Sequence, residues 1–226
     1  MKRSEINAAI RLALEVLEAH HFQLPPFAHF TPEDWRALGA EHSRIVANDL
    51  GWDITDFGSN DFDRIGAVLM TLRNGDVQNP QNGTPYAEKI IIMKPGQCIP
   101  LHFHWSKTED IINRGGGKLA VQLYNALEDD TPDLVSPVRV FCDGCKTSAK
   151  PGSILIFEPG ESVTLTPRMY HKLWADEDGG LLICGEVSTV NDDRIDNRFA
   201  EPVSRFANIT EDEAPIRLLS QEYPTG

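Results

Sequence analysis

The residues best placed to do chemistry lie in one short run, Gly96-Gln-Cys-Ile-Pro-Leu-His102-Phe-His104-Trp-Ser-Lys107-Thr-Glu109. Side chains at i and i+2 of a β-strand leave the same face, so a strand here points the imidazoles of His102 and His104 together. Glu109, past a short bend, can return to that face from the next strand. Two imidazoles and a carboxylate converging on one point make a site for a divalent transition metal. Mn²⁺, Fe²⁺, Co²⁺, Ni²⁺ and Zn²⁺ all suit such mixed N and O donors. The fourth ligand must come from far along the chain, and His171 is the candidate. It follows Pro151-Gly-Ser-Ile-Leu-Ile-Phe-Glu-Pro-Gly160, an apolar run between two Pro-Gly pairs that reads as a strand between turns. A His-x-His pair alone is commonplace. Its conjunction with a spaced carboxylate, flanking glycines and a later histidine argues for a metal. Lys107, on the bend, could donate to an oxygen held beside these ligands. Trp105 offers a partly apolar wall against which a ring or chain could pack.

Such residues need a rigid frame, and the pattern along the chain supplies one. Residues 4 to 20 read as an amphipathic helix capped by Ser4, with Ile6, Ile10, Ala13, Leu14 and Leu17 at helical spacing. Thr31-Pro32-Glu33-Asp34 starts a second helix, and a third short one is expected over 41 to 49. From about residue 62 the pattern turns to short strands: 65–72, 88–94, 119–124, 138–141, 154–157, 162–166, 171–174 and 181–187. Asn-Gly, Asp-Gly, Pro-Gly and Gly-Gly turns separate them. The expected fold class is all-β, a jelly-roll barrel. One domain spans residues 1–226: a helical N-terminal extension over 1–60, the barrel over 61–188 and a C-terminal extension over 189–226 packed on it.

The net charge of −13, from 34 acidic against 21 basic residues, argues against nucleic acid and against anionic membrane surfaces as partners. No apolar run has membrane-spanning length, and the charged N-terminus does not read as a signal peptide. The expected location is cytoplasmic, where Cys98, Cys142, Cys145 and Cys184 stay reduced. Cys142-Asp-Gly-Cys145 has no second pair to complete a zinc site and reads as a hairpin turn.

The spacing G-x5-H-x-H-x4-E-x6-G, from Gly96 to Gly116, resembles the first signature motif of the cupin superfamily. The strand before His171 resembles the second. A cupin barrel is therefore implied. More narrowly, the run from His102 to Gly117 is similar to the D-lyxose isomerases. So are Gly185-Glu186-Val-Ser188, Asn191-Asp-Asp193, Asp196-Asn-Arg-Phe199, Arg205-Phe206 and Glu211-Asp-Glu213. This resemblance covers nearly the whole chain. It implies a manganese-dependent aldose–ketose isomerase for D-lyxose and D-xylulose, commonly also for D-mannose and D-fructose. It places the metal ligands at His102, His104, Glu109 and His171. The expected partner is a monosaccharide substrate, contacted by Trp105 and Glu186, and the expected assembly is a homodimer. Aldose isomerisation through an enediol needs a base to move a proton between C2 and C1. Glu201, in the family-like tail segment, and Glu186 are the candidates. Glu201 is preferred, with Lys107 stabilising charge, and Glu158 is disfavoured beside its Pro-Gly turn. Two other classes stay open: an Fe(II)-dependent cupin dioxygenase and a non-catalytic sugar- or metal-binding cupin.

Overall fold

The computed structural model describes residues 1–224. The strands are β1 (Gly51–Thr55), β2 (Ala67–Gly75), β3 (Gly83–Met93), β4 (Cys98–His104), β5 (Glu109–Gly116), β6 (Leu119–Ala126) and β7 (Pro132–Asp133). They continue with β8 (Val138–Cys142), β9 (Cys145–Ala149), β10 (Ile154–Phe157), β11 (Ser162–Leu165), β12 (Met169–Ala175), β13 (Leu182–Thr189) and β14 (Asn197–Phe199). They form two antiparallel sheets. One runs β1-β2-β3-β13-β5-β11-β8-β9 and the other β10-β6-β12-β4-β14. Leu69, Ile91, Val121, Leu123, Val163 and Leu173 share one buried core between them. This is the jelly-roll arrangement expected of the sequence.

Strands β2 and β3 read as continuous apolar runs because both of their faces are covered. Leu69, Ile91 and Met93 point into the barrel. Val68, Met70, Ile90 and Ile92 point outward, against Ile6, Ile10, Ala13 and Leu17 of helix α1 (Arg3–Ala19). Two shorter helices follow, α2 (Pro32–Ala37) and α3 (Ser43–Ala47). Thr31 caps α2 by accepting from the Asp34 amide, and Asp34 returns a bond to Thr31.

One expectation needs correction. Strand β1 lies inside the 1–60 stretch expected as a helical extension. It pairs with β2 from Gly51↔Thr71 to Thr55↔Ala67. Strand β9 pairs with β8 across the Asp143-Gly144 turn, the hairpin that the sequence indicated. The tail after Thr189 is irregular, as expected, but it adds β14 to the small sheet beside β4.

Candidate active site

Register builds the cluster. Strand β4 lies between β12 and β14 in the small sheet. His102 pairs across with His171 on one side and with Phe199 on the other, while Asn197 pairs with His104. A bend over residues 105–108 carries the chain to the large sheet, where Glu109 opens β5. Asp196 shapes that bend. Its Oδ1 accepts from the Ser106 amide at 2.9 Å and hydroxyl at 2.8 Å, and its Oδ2 accepts from the Lys107 amide at 3.2 Å.

The ring nitrogens of His102, His104 and His171 lie within 4.8 Å of one another. Glu109 Oε1 lies 3.2 Å from Nε2 of both His104 and His171. All four residues are buried. His102 Nδ1 and His171 Nδ1 sit 2.8 and 2.9 Å from the carbonyls of Pro100 and Met169, bonds that fix the ring orientations and leave Nε2 free to ligate. Nε2 of His104 and of His171 are buried without a hydrogen-bond partner. Burial, then the neighbouring imidazoles, pushes His102 well below its ordinary value; burial, then Lys107, lowers His104. Both therefore stay neutral, the form that binds metal. Burial alone would raise the Glu109 carboxyl, but Lys107 and His104 hold it well below the usual carboxylate range. Orphaned imidazole nitrogens converging beside an ionised carboxylate fit a divalent ion of the borderline class.

Beside this cluster runs a chain of alternating charge, buried at Lys107, Glu186 and Lys89 and half-buried at Asp193, Arg205 and Asp53. Lys107 Nζ lies 2.6 Å from Glu109 Oε2 and 3.0 Å from Glu186 Oε1. Glu186 also faces Lys89 at 3.4 Å, and Lys89 reaches Asp193 at 3.0 Å. Arg205 bridges Asp193 at 3.0 Å and Asp53 at 2.6 Å. Burial opposes the charge on Lys107, yet Glu109, Glu186 and Asp193 outweigh it and keep the ammonium protonated above its ordinary range. Paired buried charges of this kind mark functional sites more often than they add stability.

The cavity so formed is lined by His102, His104, His171, Lys107, Glu109 and Glu186 among others, with Phe199 stacked on His102 at 5.2 Å between ring centres. Two expected residues stand elsewhere. Glu201 is exposed, two residues past the end of β14, and does not reach the cavity. Trp105 is 42% exposed and packs edge-on against Phe103 on the opposite side of β4 from the histidines. Glu158 forms a surface ion pair with Lys118. Sequence reasoning missed Lys89, Asp193, Asp196 and Arg205. Lys89 is a lone cation within the apolar run of β3, and Asp193, Asp196 and Arg205 stand in the segments that carry the family resemblance.

Fold and site together define a jelly-roll barrel with a buried cluster suited to a divalent metal. The chain belongs to the D-lyxose isomerase family, whose sequence model matches residues 1–223. It is 47% identical over 226 residues to the D-lyxose/D-mannose isomerase of Serratia proteamaculans, covering 99% of this chain and 98% of that protein. It is 44% identical over 225 residues to the D-lyxose/D-mannose isomerase of Escherichia coli O157:H7, with the same coverage. Among solved structures, the L-ribose isomerase of Cellulomonas parahominis shares the fold at TM-score 0.61 and 19% identity. That match covers 93% of this chain and 98% of the other.

Proposed function

We propose that the protein interconverts D-lyxose with D-xylulose and D-mannose with D-fructose, using a divalent metal, Mn²⁺ by the family resemblance. The observation that carries this reading is the juxtaposition of Glu186 and Lys107, a carboxylate and an ammonium 3.0 Å apart in a cavity that also holds three histidines and Glu109. His102, His104, Glu109 and His171 would hold the ion, and when bound it would supply Lewis-acid stabilisation of negative charge on the substrate oxygens. Glu186 takes the proton from C2 and returns it to C1, giving an enediol between the two transfers. Lys107, already donating to Glu186 and Glu109, can turn one N–H to the substrate oxygen that gains charge. Glu109 faces His104 and His171 at 3.2 Å and would be taken up in holding the ion, which leaves Glu186, between Lys107 and Lys89, the carboxylate for proton transfer. The buried walls exclude water and strengthen these interactions.

The isomerase assay tests this directly. Glu186→Gln should lower kcat about 10²–10⁴-fold, the usual worth of a general base, with metal content unchanged. Wild-type turnover in D₂O should place deuterium at C1 of the ketose. Near-normal turnover in the variant would pass the role to another acid lining the cavity. Ketose formation without any isotope exchange would favour a hydride shift. The homodimer is part of this proposal, and light scattering at twice 25.2 kDa checks it.

A further inference from the structure

A second chamber opens behind the metal chamber, on the far side of Lys89, Asp193 and Arg205, which line both. It is the larger, about 130 Å³ against about 40 Å³. At 10–15 Å³ for each water-sized group, the metal chamber has room for roughly three and the second chamber for roughly ten. The reacting C1–C2 end of an aldose suits the first. The remaining carbons and their hydroxyls need further space.

The second chamber is polar in a specific way. Asn191 is 6% exposed and its Nδ2 donates to Asp193 Oδ1 at 2.8 Å, which turns its Oδ1 away from that carboxylate. This Oδ1 is buried without a partner. So are Asn74 Oδ1 and Arg205 Nη1, and both residues line the chamber. Thr71, directly across from Lys89 in the β2–β3 register, adds a hydroxyl-bearing wall. Buried polar atoms are nearly always paired. Two residues with an unpaired acceptor and one with an unpaired donor line this one chamber, a wall suited to an occupant that both donates and accepts, as a hydroxyl does.

We propose that this chamber receives the hydroxyls at the far end of the sugar, and that Asn191 and Thr71 thereby set the preference between aldohexoses and aldopentoses. The inference rests on the isomerase reading above. D-mannose repeats the C2–C4 configuration of D-lyxose and adds a sixth carbon, whose hydroxyl is the group that would reach Asn191.

The test compares kcat/KM for D-mannose, 6-deoxy-D-mannose and D-lyxose in the metal-loaded wild type and in Asn191→Ala and Thr71→Val. The mannose-to-lyxose ratio should fall about tenfold in each variant. The change should lie in KM, because a contact far from the reacting carbons is made equally in ground and transition states. Wild type should prefer D-mannose to its 6-deoxy analogue, and the variants should lose that preference. An unchanged ratio in both variants, as expected if the chamber holds only water, would overturn the proposal. So would equal treatment of the two mannose forms by wild type. If Asn191→Ala also displaces Asp193, Thr71→Val, which keeps its shape and removes no charge of the network, decides. Wild-type protein that turns over no aldose would refute the isomerase reading instead; calorimetric binding of the same sugars to the same variants then still decides the chamber.

Discussion

Three of the residues proposed to hold the metal follow rules that act over a few positions. His102 and His104 share a face because strands alternate, and Glu109 sits one bend away, so their meeting is legible in the sequence. The same alternation accounts for Trp105. Counted from His104 it belongs to the opposite face, where Phe103 receives it. Lys89, Asp193 and Arg205 meet across more than a hundred positions, and no local pattern announces such a contact. Their consequences are measurable. His171→Ala removes an imidazole whose Nε2 has no role in the protein's own hydrogen bonding. It should abolish tight binding of Mn²⁺ in calorimetry while leaving the circular-dichroism spectrum unchanged; normal affinity would dismiss His171 as a ligand. For Asp193, burial raises the carboxyl, but Lys89 and Arg205 outweigh burial and hold it well below the usual range. A depressed folded-state value means that these pairs stabilise in full above the unfolded-state value of about 4. That stabilisation is lost as pH falls through the folded-state value. The melting temperature of wild type should therefore exceed that of Asp193→Asn by a constant margin from pH 5 to 8. The margin should shrink below about pH 4, and a margin independent of pH throughout would contradict the pairing.

Among the elements, strands with clean turn signals were readable almost to the residue. Ile154–Phe157 lies between Pro-Gly pairs and forms β10 over those residues. Helix α1 announced itself through its apolar spacing. Strand β1 did not, because five residues, Gly51-Trp-Asp-Ile-Thr55, are too few to show a period and follow directly on a helical stretch. What makes them a strand is tertiary: Trp52 and Ile54 close the layer between the sheet and α1, and Trp52 Nε1 donates to the Ala28 carbonyl at 2.8 Å. Strand β9 is polar and half open to water, so its pairing with β8 rests on the Asp-Gly turn rather than on burial. The layer under α1 should behave as real core. Ile10 is fully buried, and Ile10→Ala should cost about 2–4 kcal/mol in denaturant unfolding. A loss under about 0.5 kcal/mol would mean that the helix rests loosely on the sheet.

Over the whole molecule, the two ends of the chain are tied together. Lys2 and Thr210 form a parallel bridge, and Asn7 donates to Glu213 at 2.5 Å. Arg3, 1% exposed, holds Glu211 and Glu222 at once, and those carboxylates raise it above its ordinary range. Arg3→Ala should lower stability by roughly 2 kcal/mol, less than for a fully buried pair because Glu211 is 57% exposed. It should also speed proteolysis within residues 208–224; unchanged cleavage there would separate the two ends. The same tail roofs the metal chamber with Asn197, Phe199 and Arg205. Order of synthesis gives this a consequence. All four ligands have been made once His171 is added, while Arg205 emerges about 30 residues later, some seconds at ribosomal speed. Strand β13, which fills the large sheet between β3 and β5, is also made in that interval, so the sheet around these side chains is complete in sequence before the tail that covers them. The cover of the cavity is thus its last part to be synthesised, and a chain that stops short of Arg205 would lack that wall.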